Sequence, residues 1–232
     1  SAFEMFKTGQ PMYPADKLIE MGRKVNADYI VMSDYPDEDP SKTIAAAEEL
    51  APKFKEANFG TFFCPQSKIG DLEGLISAFA WAANSHHVDY IGFSILNIPN
   101  AYGVEKNNKL QRYLSRLKFV QELDKRGILE QIVENGKKIH FLGMVDGPNE
   151  IELMGYNGYD ECIDTWDSSA AVWYGLNGIK FDSSPTGAVN GKFEKEVDFN
   201  EKQGDNTSVR YNLAYIDKLC GGEDAKEYRS ND

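Results

Sequence analysis

The chain is poor in the residues that build metal and disulfide sites. Its 232 residues include three cysteines and three histidines. Cys64, Cys162 and Cys220 are odd in number and far apart, which excludes a disulfide framework and a CxxC metal knuckle. The histidines show no HxH or HExxH spacing, so no zinc or other histidine-bound metal is expected. We therefore expect no metal and no cofactor.

Long apolar runs and positive charge are also scarce. No apolar run approaches the roughly 20 residues that a membrane helix needs, and no signal-peptide pattern opens the chain. We therefore expect a cytoplasmic protein without a membrane partner. Lys and Arg number 25 against 37 Asp and Glu, for a net charge of −12. Because nonspecific binding depends on cations that neutralise phosphates, this balance excludes a protein that coats nucleic acid, although it allows a local basic patch.

Short apolar runs alternate with helical patterns through most of the chain. Strands are predicted at residues 28–33, 59–64, 88–95 and 138–145, a fifth strand leads to Asp167, and 178–181 is a short sixth. Mostly apolar strands that alternate with helices indicate a parallel sheet covered by helices. We expect an α/β fold, a (β/α)8 TIM-type barrel that lacks its first strands. An open doubly wound sheet is the alternative, but no GxGxxG turn supports it.

Two domains are expected along the chain. Residues 1–185 would form the barrel domain, incomplete at its N-terminus. Residues 186–232 would form a C-terminal extension, in which 209–219 is an amphipathic helix.

Polar residues recur just past the predicted strand ends. Asp167 lies in a strongly acidic stretch, since residues 146–179 carry seven carboxylates and no Lys or Arg. In a barrel, Asp34, Gln66, Asn97, Asp146 and Asp167 would all point into one mouth, where such folds keep their chemistry. The alternative for Asp167 is a solvated loop aspartate that caps the next helix.

One helical segment is a candidate for contact with nucleic acid. Lys109, Arg112 and Arg116 are spaced i, i+3, i+7 and share a face of a predicted helix. A solvated helix face is the other interpretation of such a run.

Six short motifs, taken in order, resemble the tRNA-guanine transglycosylase superfamily. The nearest branches are the archaeal one and the phage and bacterial one that inserts 7-deazaguanines into DNA. The motifs lie at residues 1–4 (SAFE), 30–36 (IVMSDYP), 60–66 (GTFFCPQ), 90–93 (YIGF), 140–150 (HFLGMVDGPNE) and 163–169 (IDTWDSS). Members of this superfamily share a (β/α)8 barrel.

The resemblance implies a base exchange in nucleic acid. Asp167 would be the nucleophile that forms a covalent glycosyl intermediate, while a guanine leaves and a 7-deazaguanine enters. The implied base-binding residues are Asp34, Gln66, Gly92, Ser1 and Phe3. The partners would be DNA or tRNA and the incoming base, with a homodimer or a partner subunit as the assembly. A phage-encoded protein would act in the host cytoplasm.

Two departures from the family pattern keep other functions open. The family's acid/base aspartate would precede Ser1, and Tyr211 stands where a histidine of the family's zinc site would be. A non-catalytic, transglycosylase-like binding subunit is therefore one alternative. An unrelated barrel enzyme that acts on a small molecule is the other, because the acidic stretch would suit a cationic substrate or a divalent metal with oxygen ligands.

Overall fold

The computed structural model describes residues 12–144, 147–181 and 206–221. These residues fall into two compact units. The sheet unit comprises the described residues up to Leu142 together with 161–165, and the C-terminal unit comprises the described residues of 143–160 and those from Trp166 onward. The predicted domain boundary at residue 185 lies outside the described residues.

A five-stranded sheet is the centre of the sheet unit. Its strands are β1 (Tyr29–Val31), β2 (Gly60–Phe63), β3 (Tyr90–Ser94), β4 (Lys138–Leu142) and β5 (Thr165–Trp166). The strands lie in the order of the chain, β1-β2-β3-β4-β5, and neighbours from β1 to β4 pair in parallel. All therefore end at the same edge of the sheet. The fold is α/β, as predicted.

Six helices accompany the strands of this unit. Helix α1 (Ala15–Lys24) precedes β1, and five helices connect β1 to β4: α2 (Pro40–Glu56), α3 (Leu72–Asn84), α4 (Asn97–Ala101), α5 (Lys109–Lys125) and α6 (Ile128–Glu134). Gly127, with a φ of 70°, separates α5 from α6. A left-handed residue ends a helix, and glycine takes that conformation without a steric penalty.

Aromatic packing joins the sheet to its helices. The Phe93 ring of β3 lies 4.7 Å from the Phe79 ring of α3 and 5.3 Å from the Phe141 ring of β4, and the Phe119 ring of α5 lies 4.8 Å from Phe79. All four side chains are almost fully buried. Edge-to-face and offset contacts of this kind add to the stabilisation from apolar burial.

The C-terminal unit is helical where it is described. Its helices are α7 (Asn149–Tyr156), α8 (Ala170–Leu176) and α9 (Thr207–Leu219), and a 3-10 turn at Asp160–Cys162 lies at the boundary between the units. The predicted amphipathic helix is α9, which packs on α8. No helix of the described residues is long and apolar enough to cross a bilayer.

The predicted sixth strand, residues 178–181, is not a strand. Instead the fully buried Asn212 of α9 binds this segment through its side chain. Its Oδ1 accepts from the Phe181 N–H at 2.7 Å, and its Nδ2 donates to the Ile179 carbonyl at 3.0 Å. The side-chain amide satisfies backbone groups that a strand ladder would otherwise pair, so the apolar residues pack without a sheet partner.

Candidate functional site

Asp34 and Gln66 form a buried pair at the edge of the sheet where the strands end. Each lies three residues beyond its strand, Asp34 after β1 and Gln66 after β2. The side chains are only 9% and 4% exposed. Gln66 Nε2 donates to Asp34 Oδ2 at 2.6 Å. The structure thus brings together two side chains that the strand-end pattern singled out, across 32 residues of sequence.

Burial sets the protonation behaviour of Asp34. Removal of the carboxylate from water raises the pKa of Asp34 from its ordinary 3.8 to about 6, and the hydrogen bond from Gln66 acts in the opposite direction. The side chain is therefore mainly ionised at neutral pH and becomes neutral in mild acid. An ionised carboxylate accepts hydrogen bonds only, which suits a ligand that presents N–H groups.

Asn97 is a third polar side chain at this edge, and it was not among the predicted base-binding residues. It follows β3 by three residues, begins α4 and is 4% exposed. Its Nδ2 donates to the carbonyl of Pro65 at 2.9 Å, next to Gln66 in the chain. The available signal was its place just past a strand end, the same signal that identified Asp34 and Gln66.

Gly92 has a packing role in the structure. A Cβ at this position would lie 2.7 Å from Leu142 Cδ1, 2.7 Å from Phe62 Cε1 and 3.2 Å from Cys64 Sγ. Neighbouring side chains thus occupy the space that an approaching base would need on that side of the residue. The next residue, Phe93, is fully buried, and its ring packs on the rings of Phe79 and Phe141.

Asp167 directly follows β5 in the C-terminal unit and is exposed. Its Oδ1 accepts from the Gly143 N–H at 3.0 Å, and its backbone carbonyl accepts from Met144 N at 2.7 Å. The hydroxyl of the next residue, Ser168, donates to the Met144 carbonyl at 2.5 Å. The Gly143 N–H thus holds one oxygen of the carboxylate in a fixed position.

The predicted phosphate-binding face of α5 is wrong for Arg116. This side chain is fully buried, with Nη1 donating to the carbonyls of Phe93 at 3.0 Å and Leu142 at 2.9 Å. Arg112 is half-buried, and its guanidinium donates to Asn100 Oδ1 and to a loop carbonyl, both at 3.3 Å. Both arginines thus hold the protein together, and neither forms a free cationic stripe.

Four of the predicted residues are not described in full by the structure. Ser1, Phe3 and Asp146 lie outside the described residues, and for Lys109 only the backbone is described. Within the described part of the chain, no three His, Cys, Asp or Glu side chains gather closely enough to hold a metal ion.

Comparison with known proteins adds no family to this site. No protein-family model matches the chain, and no curated protein matches its sequence. The candidate site therefore rests on its own geometry and chemistry.

Proposed function

We propose that this protein is a base-exchange transglycosylase that replaces guanine in a nucleic acid with a 7-deazaguanine. The observation that carries the proposal is the buried Asp34–Gln66 pair at the edge where the strands end. A buried carboxylate is costly to keep ionised, because burial removes the water that would solvate its charge. A ligand with matching N–H groups would offset that cost.

The strand order supports an incomplete (β/α)8 barrel as the fold behind this function. In a barrel each strand pairs with the next along the chain, whereas a doubly wound sheet reverses its order at a switch point. The sequential order β1-β2-β3-β4-β5 contains no reversal. Barrel enzymes place their chemistry at the carboxyl ends of the strands, which is where Asp34 and Gln66 lie.

Base recognition is assigned to Asp34 and Gln66. A guanine-type ring presents an N1–H and a 2-amino group side by side, and an ionised carboxylate accepts both. Because the pKa of Asp34 is raised to about 6, we expect base affinity to be constant above pH 7 and to fall as Asp34 becomes protonated below pH 6.

The covalent step is assigned to Asp167. Its carboxylate would attack C1′ of the target nucleotide, and the C1′–N bond would break with its electron pair on the departing guanine, which takes up a proton. The ring nitrogen of the incoming 7-deazaguanine would then attack C1′, lose its proton and release the carboxylate. The target nucleotide would have to leave its helix for this reaction.

The test mixes the full chain with an oligonucleotide or tRNA and labelled 7-deazaguanine. Incorporation of the label, or a denaturant-stable adduct, is expected for the native protein and lost in Asp167→Asn. Glu161→Gln, an exposed acid of the same segment, is the matched control and should retain activity.

Other outcomes would contradict the proposal. Base binding without incorporation into DNA or tRNA would favour the non-catalytic binding subunit. Activity on a small molecule that requires Mg²⁺ or Mn²⁺ would favour the unrelated barrel enzyme.

A further inference from the structure

Two buried carbonyl oxygens lie at the strand-end edge of the sheet unit without hydrogen-bond partners in the described structure. They are Gln66 Oε1 and Asn97 Oδ1. Native proteins leave few buried polar atoms unpaired, and each one costs about 1–3 kcal/mol. One of these oxygens belongs to the residue that binds the buried Asp34 carboxylate, and the other to the residue that binds the adjacent Pro65 carbonyl. Together they indicate a site that receives hydrogen-bond donors.

The direction of each amide is set by its neighbours. Gln66 Nε2 binds the Asp34 carboxylate, and Asn97 Nδ2 binds the Pro65 carbonyl, so the nitrogen ends of both side chains are engaged. A reversed Asn97 would place its oxygen against the Pro65 carbonyl, and two acceptors repel each other. The oxygen ends are therefore the groups that remain for a ligand.

We infer that Asn97 is a specificity-determining residue of the base site: its Oδ1 accepts an N–H of the bound heterocycle, alongside Gln66 Oε1. This inference depends on the proposed base-binding function and extends it. With Asp34, the edge would present three acceptors, and it would select amino-substituted heterocycles over analogues that lack one of the N–H groups. A site with buried acceptors rejects such an analogue because an oxygen is then left unpaired.

The alternative is that Asn97 only holds Pro65 in place, and this role requires no ligand contact. Loss of affinity on mutation cannot separate the two roles, since a displaced Pro65 would also move Gln66. A cycle that changes both the side chain and the ligand separates them, because only a direct contact couples the two changes.

The experiment measures binding of bases to the full chain by titration calorimetry. The ligands are 7-deazaguanine and three analogues that each lack one donor: 7-deazahypoxanthine, 1-methyl-7-deazaguanine and 9-methyl-7-deazaguanine. The native protein is compared with Asn97→Ala. The penalty for a missing donor is the ratio of the dissociation constants of the analogue and of 7-deazaguanine. For one analogue this ratio should be roughly fivefold to tenfold smaller in Asn97→Ala than in the native protein, which corresponds to one hydrogen bond.

Asn97→Gln provides a second variant, because it keeps both the donor and the acceptor end of the amide. It should keep the native discrimination even if it binds all ligands more weakly, and it serves alone if Asn97→Ala does not fold. Equal penalties in the native protein and Asn97→Ala for every analogue, or lost discrimination in folded Asn97→Gln, would overturn the inference.

The same titration separates this inference from the proposed function. If 7-deazaguanine does not bind the native protein, the proposed function fails and the inference fails with it. If it binds, and Asp34→Asn weakens it while Asn97→Ala shows no coupling, only the role of Asn97 is refuted.

Discussion

Burial of Asp34 predicts an unusual dependence of stability on pH. Its pKa is about 6 in the folded protein against an ordinary 3.8. Between these values the folded state binds more protons than the unfolded state, so the free energy of unfolding falls as the pH rises. A group with a depressed pKa would have the opposite effect. The contribution of Asp34 is thus complete below pH 4 and lost above about pH 6.

The size of the effect follows from the two pKa values. Each pKa unit corresponds to 1.36 kcal/mol, so ionisation of Asp34 costs the folded state about 3 kcal/mol at neutral pH. Asp34→Asn removes the charge but leaves an oxygen that can accept from Gln66. The free energy of unfolding of Asp34→Asn, relative to the native protein, should therefore increase by roughly 2.4 kcal/mol between pH 4 and pH 7, because the unfolded chain already begins to ionise below pH 4.

The measurement is urea denaturation at five pH values from 4 to 8, followed by tryptophan fluorescence. Trp81 is a suitable probe, since it packs 5.0 Å from Phe63 in the same unit as Asp34. Comparison of the two proteins at each pH cancels the titration of all other groups. A difference that stays constant from pH 4 to pH 8 would refute the reasoning, because Asp34 would then titrate as a solvated side chain.

Asp39→Asn is a control with the opposite sign. Asp39 caps α2, and its hydrogen bonds from Ser41 lower the pKa of this exposed carboxylate. Its contribution is present at neutral pH and is lost as the pH falls through the folded pKa. The Asp39→Asn protein should therefore be less stable than the native protein near pH 7, with a smaller difference in acid.

Two further substitutions test the packing. Arg116→Met should lower the free energy of unfolding by roughly 3 to 5 kcal/mol, since it removes two hydrogen bonds from a charged donor. The same change at the half-buried Arg112 should lower it by only about 1 kcal/mol. Similar losses for the two variants in urea denaturation would contradict the buried structural role of Arg116. Gly175→Ala should cost about 1–3 kcal/mol, because its Cβ would meet the backbone of Val209 in α9. Gly155→Ala, at an exposed position, should be neutral or stabilising. Thermal denaturation of both variants measures the two effects, and equal changes in stability would contradict close packing of α8 on α9.

Much of the sheet was predictable because its strands carry a strong local signal. The four longer strands lie within the predicted apolar runs, and β2 and β3 are buried along most of their length. Residues 178–181 carry the same signal without forming a strand. Their backbone is satisfied by Asn212, which lies 31 residues further along the chain from Phe181. An apolar run therefore predicts that a segment is buried. It does not predict which group will form hydrogen bonds with the backbone of the segment, because tertiary structure determines that partner.

The error at Arg116 has a signal that the sequence did contain. The buried residues Phe119, Val120 and Leu123 follow Arg116 at i+3, i+4 and i+7, so all four lie on one face of α5. The spacing of the basic residues correctly placed Lys109, Arg112 and Arg116 on a common face. That face, however, is the apolar one. Because the guanidinium of Arg116 finds carbonyl partners inside the protein, the face can be buried together with its phenylalanine.

The candidate base site shows why position was easier to predict than hydrogen-bond direction. Strand ends predicted that Asp34, Gln66 and Asn97 would lie at one edge, because parallel strands that pair in sequence must end together. The sequence did not predict which end of the Gln66 amide would remain for a ligand. In the structure Gln66 Nε2 already donates to Asp34, and Gln66 Oε1 is the atom without a hydrogen-bond partner. A side-chain amide has a donor nitrogen and an acceptor oxygen. Once a neighbouring residue binds the nitrogen, only the oxygen remains, and it can bind only a ligand group that donates a hydrogen bond.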